Sequence, residues 1–183
     1  SFFLFMKGLV VDTGYKILSG RPYVALYGRL ASGEPFLTLH SFRPYFFILE
    51  SDLEKAQHVE EFETVRVPYR DFHDRPVVQI MVQIPSDVPL LREAFHKEGI
   101  QTFEADVPFA RRYLIDQGIF AGVEIDGDAE IQDGVRVFFD SVLHPVSVQV
   151  PLKVMAIDIE TDAVAKKIYS LAFGCGRDQR VLI

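Results

Sequence analysis

Asp158 and Glu160 stand two residues apart at the end of the run L-K-V-M-A-I-D-I, residues 152–159. On an extended strand, residues i and i+2 project from the same face, so the two carboxylates lie side by side. Adjacent negative charges repel, and burying either one is costly without a counter-charge. A divalent cation resolves both problems, and hard carboxylate oxygens suit Mg²⁺ or Mn²⁺. A pair of such ions cleaves phosphodiesters, one activating the attacking water while the other stabilises the leaving oxygen. Asp158 and Glu160 are therefore the candidate metal ligands and catalytic carboxylates. An isolated D-x-E pair is a common solvated strand end. This one follows an almost unbroken apolar run that reads as a buried strand.

Other chemistry is sparse. The five histidines, His40, His58, His73, His96 and His144, are widely spaced, and no two have helical ligand spacing. A single cysteine, Cys175, excludes an internal disulfide and a Cys-rich zinc site. With 49% hydrophobic and 25% charged residues the composition is globular. The net charge of −7 argues against a dedicated duplex-binding module, which gains most of its affinity by neutralising phosphates. It does not exclude a metal-carboxylate enzyme. The apolar start, residues 1–6, is too short for a signal or a membrane span once Lys7 intervenes, so a cytoplasmic protein is expected.

The elements that must position these groups fall into two rhythms. Residues 1–40 alternate short apolar runs with turn signals, and 23–30 and 35–40 read as a hairpin around Ala31-Ser32-Gly33-Glu34. From Tyr45 the pattern becomes strand 45–49, helix from Ser51, strand 64–67, strand 77–84, helix 86–97 and strand 100–103. Strand–helix–strand thus occurs twice, the sign of a split β-α-β, ferredoxin-like sandwich. A short helix over 108–115 carries Arg111 and Arg112, and a domain boundary is placed near Gly118. Beyond it, strands are expected over 120–125, 135–140, 146–150 and 152–159, then 168–173 and 180–183 around a Gly174-Cys175-Gly176 hairpin turn. The last three have the texture of the start of an RNase H-like sheet. The fold class is α+β: a β-rich domain over 1–118, then the first strands of a second domain over 119–183.

Several segments carry a family resemblance. V-M-A-I-D-I-E-T at 154–161 resembles the first exonuclease motif of family B DNA polymerases. S-F-R-P-Y-F-F-I-L at 41–49 and E-A-D-V-P-F-A-R-R-Y-L-I-D-Q-G-I at 104–119 resemble the amino-terminal domain of the archaeal members. D-F-H-D-R-P-V at 71–77 and I-Y-S-L-A-F-G-C-G at 168–176 are similar to bacterial DNA polymerase II. The resemblance implies a DNA-directed DNA polymerase with a 3′→5′ proofreading exonuclease, of which this chain holds the amino-terminal domain and the beginning of the exonuclease domain. It implies Asp158 and Glu160 as ligands of a two-metal Mg²⁺ or Mn²⁺ site whose other carboxylates lie past Ile183, so the chain alone is expected to be inactive. Implied partners are primer-template and single-stranded DNA, with a sliding clamp for the parent enzyme. An edge-strand dimer through 180–183 is a further expectation, since a sheet cut short leaves an open edge.

In archaeal relatives the amino-terminal domain holds a slot that captures template uracil. The matching positions here are Tyr15, Pro44, Tyr45, Pro76, Val107, Pro108, Phe109 and Arg112, a partly apolar set with a cation for phosphate. Gln79 matches the small apolar residue on the slot floor. Its longer amide is expected to fill the slot and weaken uracil sensing. The competing readings are a non-catalytic single-strand-binding module with Tyr45, Phe46 and Phe47 as stacking platforms, and an inactivated polymerase relative serving as a scaffold.

Overall fold

A computed structural model describes residues 5–183, which divide into two compact units, one running to Val150 and the other from Pro151 to Ile183. Strand β1 (Met6–Leu18) pairs antiparallel with β2 (Arg21–Leu30), and β2 pairs with β3 (Pro35–Ser41) across the predicted hairpin. The register of β1 slips between Val10 and Asp12. Such a bulge bends a strand and strengthens its twist. The amino-terminal half of β1 also pairs with a later strand, so one long strand borders two neighbours.

The chain then builds a separate layer: β4 (Tyr45–Leu49), helix α1 (Leu53–Gln57), β5 (Glu63–Arg70), β6 (Pro76–Met81), α2 (Asp87–Lys97) and β7 (Thr102–Phe103). Its sheet order is β5-β6-β4-β7 with every pairing antiparallel. Both strand–helix–strand units are therefore present, with β6 inserted between the two strands of the first. Alternation explains the two faces. Phe46, Ile48, Val78 and Ile80 point to the helices and bury against Leu91, Phe95 and Ile100. Tyr45, Phe47, Leu49 and Val77 occupy the opposite face with Val67 and Phe103.

Helix α3 (Phe109–Asp116) returns the chain to the first layer, where β8 (Gly122–Asp126), β9 (Ala129–Gln132), β10 (Val135–Phe139) and β11 (Val142–Pro145) complete a seven-stranded sheet. Its order is β11-β8-β1-β2-β3-β10-β9, with β10 parallel to β3. The boundary expected near Gly118 is therefore displaced to Val150. β8 is hydrogen-bonded to β1 and β10 to β3, and Ile119, Val123, Ile125 and Phe138 share one core with Val24, Leu26, Phe36 and Tyr113. The strand expected over 146–150 does not form. Pro145 and Pro151 bracket it and cannot donate to a ladder. Val146 instead donates to the Gly122 carbonyl at 3.1 Å.

The second unit is a three-stranded antiparallel sheet of β12 (Ala156–Thr161), β13 (Ile168–Cys175) and β14 (Asp178–Leu182). Asp162 holds the first turn by accepting the Lys166 and Lys167 amides at 2.7 and 2.8 Å. The second turn is the pair Gly176-Arg177, one residue later than expected. The reading of 152–159 as a buried strand is corrected: β12 begins at Ala156 and every residue of it is exposed. Ile157 and Ile159 remain 52% and 51% accessible because this single-layer sheet packs no second layer on them among the described residues.

Phe36 shows how tightly the first sheet is built. Its ring lies across Gly8 and Gly28 on the neighbouring strands, and a Cβ on Gly28 would sit 2.2 Å from the Leu9 carbonyl and 2.4 Å from that ring. Backbone cannot yield as a side-chain tip can. Gly28→Ala is expected to destabilise the chain by about 1–3 kcal/mol or more, measured by urea unfolding.

Candidate template slot and carboxylate strand

Three segments converge at Tyr45. β1 brings Tyr15, the start of β4 brings Pro44 and Tyr45, and the entry to α3 brings Val107, Pro108, Phe109 and Arg112. These seven residues line one cleft of about 680 Å³, which also receives Arg92, Asp106 and Arg111. Tyr15 packs edge-on to Phe109 with centroids 5.7 Å apart, and Phe42 meets Phe109 at 5.5 Å and Tyr45 at 6.1 Å. Pro76 and Gln79 do not join them. Pro76 is exposed at the start of β6, and Gln79 lies opposite Phe47 in the sheet and lines neither this cleft nor its neighbour. The expectation that Gln79 fills the slot is therefore corrected: its strand register carries it past the cleft wall. Val77 of β6 reaches a second cleft of about 780 Å³ on the other side of Tyr45 and Arg112.

Arg112 is 7% exposed and forms the partition between the two clefts. Its guanidinium pairs with Glu104 and lies 5.2 Å from the centre of the Tyr45 ring. A cation over an aromatic face is favourable, and burial strengthens it. Glu104 reaches it from a left-handed backbone (φ 59°), a conformation that costs a non-glycine residue about 1 kcal/mol or more. The Tyr45 hydroxyl donates to Asp116 at 2.7 Å. Burial first, and then the Asp116 carboxylate, push the Tyr45 phenol far above its ordinary range, so it stays a neutral donor. Glu104 and Asp116 were not singled out by spacing. Glu104 precedes its partner by eight residues and Asp116 reaches Tyr45 across two layers, and neither separation matches a local motif.

Beneath the slot, His40 stacks on Tyr113 with centroids 5.2 Å apart. Its Nε2 is buried without a hydrogen-bond partner among the described residues. Burial lowers its pKa to about 4, opposed by the nearby Asp140 carboxylate. A lowered histidine pKa favours the folded state only while the ring is neutral. Stability from this site is full above the unfolded value near 6.5 and declines as pH falls from there towards 4.

Asp158 and Glu160 lie on the same face of β12, opposite Ala172 and Ser170 of β13. The small cross-strand neighbours leave the space over both carboxylates open, and neither carboxylate is in an ion pair among the described residues. The pair fits a hard divalent cation as two of its ligands. No third His, Cys, Asp or Glu clusters with them among the described residues.

Comparison with known proteins finds similar sequences and a similar fold. The model is similar to the family B DNA polymerase of the hyperthermophilic archaeon Pyrobaculum calidifontis, with a TM-score of 0.72 and 24% identity over 97% of this chain and 26% of that one. That likeness shows the fold. The sequence is 29% identical over 140 residues to the DNA polymerase of Thermococcus kodakarensis, covering 68% of this chain and 8% of that protein. It is 29% identical over 169 residues to the Thermococcus aggregans enzyme, covering 84% of this chain and 8% of that protein. For the Pyrococcus glycovorans enzyme the values are 28% over 140 residues, with 68% and 18% covered. No protein-family model matches the chain. The chain is thus similar in sequence to archaeal DNA polymerases and in fold to a family B DNA polymerase, and it spans 8% to 18% of the length of these curated relatives.

The His40 site yields a direct test. Replacing His40 with Gln removes the buried ring, so the stability difference between wild type and variant should shrink between pH 6.5 and 4, by up to about 1.4 kcal/mol per pH unit. Urea unfolding at each pH measures it, and a constant difference would refute the assignment.

Proposed function

We propose that this chain is the template-binding and exonuclease-entry part of a DNA-directed DNA polymerase. What carries the reading is the slot: three arginines (Arg92, Arg111, Arg112) and three aromatic rings (Tyr15, Tyr45, Phe109) converge on one cleft of a chain whose net charge is −7. Aromatic faces stack bases and arginines hold phosphates, so the cleft has the two chemistries that a single-stranded template needs. Its lining also gathers the positions that the family resemblance implies for template uracil, apart from Pro76 and Gln79.

Because Gln79 lies off the cleft, the obstruction expected from its amide is absent, and the slot is open to a base. Template uracil is then a reasonable occupant. A primer-template carrying deoxyuridine ahead of the junction should bind the chain several-fold tighter than the thymidine equivalent. Arg112→Ala should erase the preference by removing the cation from Tyr45 and leaving Glu104 unpaired. Equal affinity for the two templates in fluorescence anisotropy would sink the uracil reading.

Asp158 and Glu160 are the proposed first carboxylates of the proofreading site. A divalent ion held there would activate water for attack on a phosphodiester. The two side chains supply hard oxygens on one open strand face, and the rest of such a site has to come from other carboxylates of the polymerase. The 183-residue chain alone should therefore leave 5′-labelled single-stranded DNA intact in Mg²⁺ or Mn²⁺. Metal-dependent shortening of that DNA, abolished by Asp158→Ala, would overturn the proposal.

A further inference from the structure

We infer that the β5–β6 hairpin is a second stacking contact for single-stranded DNA, distinct from the slot and separated from it by Arg112. The inference rests on the template-binding reading above and adds a site to it.

Phe72 is fully exposed at the tip of the hairpin, where a large aromatic ring has no packing reason to be, and Tyr69, on the strand that leads to it, is 58% exposed. The backbone of the turn that carries Phe72 is nevertheless braced. Asp71 accepts hydrogen bonds from the His73 and Arg75 amides at 2.9 Å each and from Arg75 Nε at 2.7 Å. Arg75 holds the Asp71 carboxyl down at about 2, so this brace stays ionised at working pH. Arg70 donates to the Asp74 carbonyl at 2.6 Å, closing the turn over a left-handed Asp74. A tip braced this way presents its rings at little further entropic cost on binding.

The position favours a nucleic acid strand as the occupant. Phe72 and Tyr69 stand at the mouth of the second cleft, whose interior is lined by Tyr45, Phe47 and Phe103. Tyr69 packs edge-on to Phe47 with centroids 6.0 Å apart and Phe47 to Tyr45 at 5.5 Å, so the rings run from Tyr69 inward to Tyr45. The hairpin from Arg66 to Arg75 carries three arginines, which pair with Glu50, Asp74 and Asp71 at its exposed rim, so cations stand beside the rings while stacking supplies most of the contact. Consecutive aromatics beside cations form the sequence-tolerant stacking track of single-strand-binding surfaces. Tyr45 and Arg112 line both clefts, so a strand with one base in the slot has the second track directly across the partition.

The chain has no tryptophan, which makes the test clean. Phe72→Trp introduces a single indole whose emission a stacked base quenches. Titration with a short oligothymidine at low salt should quench it saturably, while Phe120→Trp, at an exposed position lining neither cleft, should not respond. Phe72→Ala should weaken oligonucleotide binding by at least about fivefold, with the thermal midpoint unchanged because the ring is solvent-exposed. Wild-type binding with an unquenched Phe72→Trp and an unaltered Phe72→Ala would overturn this inference and leave the slot reading intact. Absence of any oligonucleotide binding by the wild-type chain would overturn both.

Discussion

The buried guanidinium of Arg112 is the interaction on which the amino-terminal unit depends. Helix α3 belongs to the seven-stranded layer, Tyr45 to the four-stranded layer, and Glu104 to the crossing between them. Arg112 touches both Tyr45 and Glu104. A cation at 7% exposure is affordable only with compensating charge and a polarisable face, and these two residues provide them. Lysine would not serve, because a point charge cannot pair with a carboxylate in plane and lie against a ring at once. The Nε of Arg112 has no partner among the described residues. Buried donors are almost always satisfied, and the exceptions gather at binding sites. The group that locks the two layers together is thus also the one left with an unused donor between two clefts.

That arrangement constrains everything around it. The Tyr45 ring must be presented at a fixed angle, which its bond to Asp116 on the last turn of α3 secures. α3 must in turn be seated on the first sheet, which requires β1 to accept neighbours on both sides and Phe36 to close over Gly8 and Gly28. His40 and Tyr113 form the floor of the same seat. A perturbation in the sheet core therefore reaches the slot through packing, since a close-packed interior has no slack in which to absorb it.

Local pattern made much of this legible in the sequence. The hairpin at Ala31–Glu34, the two strand–helix–strand units and the short helix bearing Arg112 follow from turn chemistry and periodicity. The shared face of Asp158 and Glu160 follows from the pleat. What failed was long-range. Gly118 ends a helix and looks like a boundary, yet β8 pairs with β1 more than a hundred residues earlier, and no local signal announces such a partner. An apolar run before Asp158 suggests burial, but burial needs a covering layer, and Ile157 and Ile159 lack one among the described residues. Gln79 was aligned by sequence spacing, whereas the wall of a cleft is set by cross-strand register, which places Gln79 against Phe47. Glu104 and Asp116 escaped notice because ordinary acids become site residues only through the partners that the fold gives them.

The acidity of the chain is resolved by the same distinction between local and global. Net charge is a sum over the whole surface, but at physiological salt a phosphate senses charges only within a Debye length of about 8 Å. Five of the acidic residues, Glu124, Asp126, Asp128, Glu130 and Asp133, are concentrated on β8, β9 and the turns beside them. The slot presents Arg92 and Arg111 against Asp106, with Arg112 already paired with Glu104. On the template-binding reading, a protein built in this way repels a polyanion weakly at long range and holds it only where arginines and aromatic rings coincide. Such a surface favours a single strand threaded through a defined groove over a duplex lying on a broad basic face.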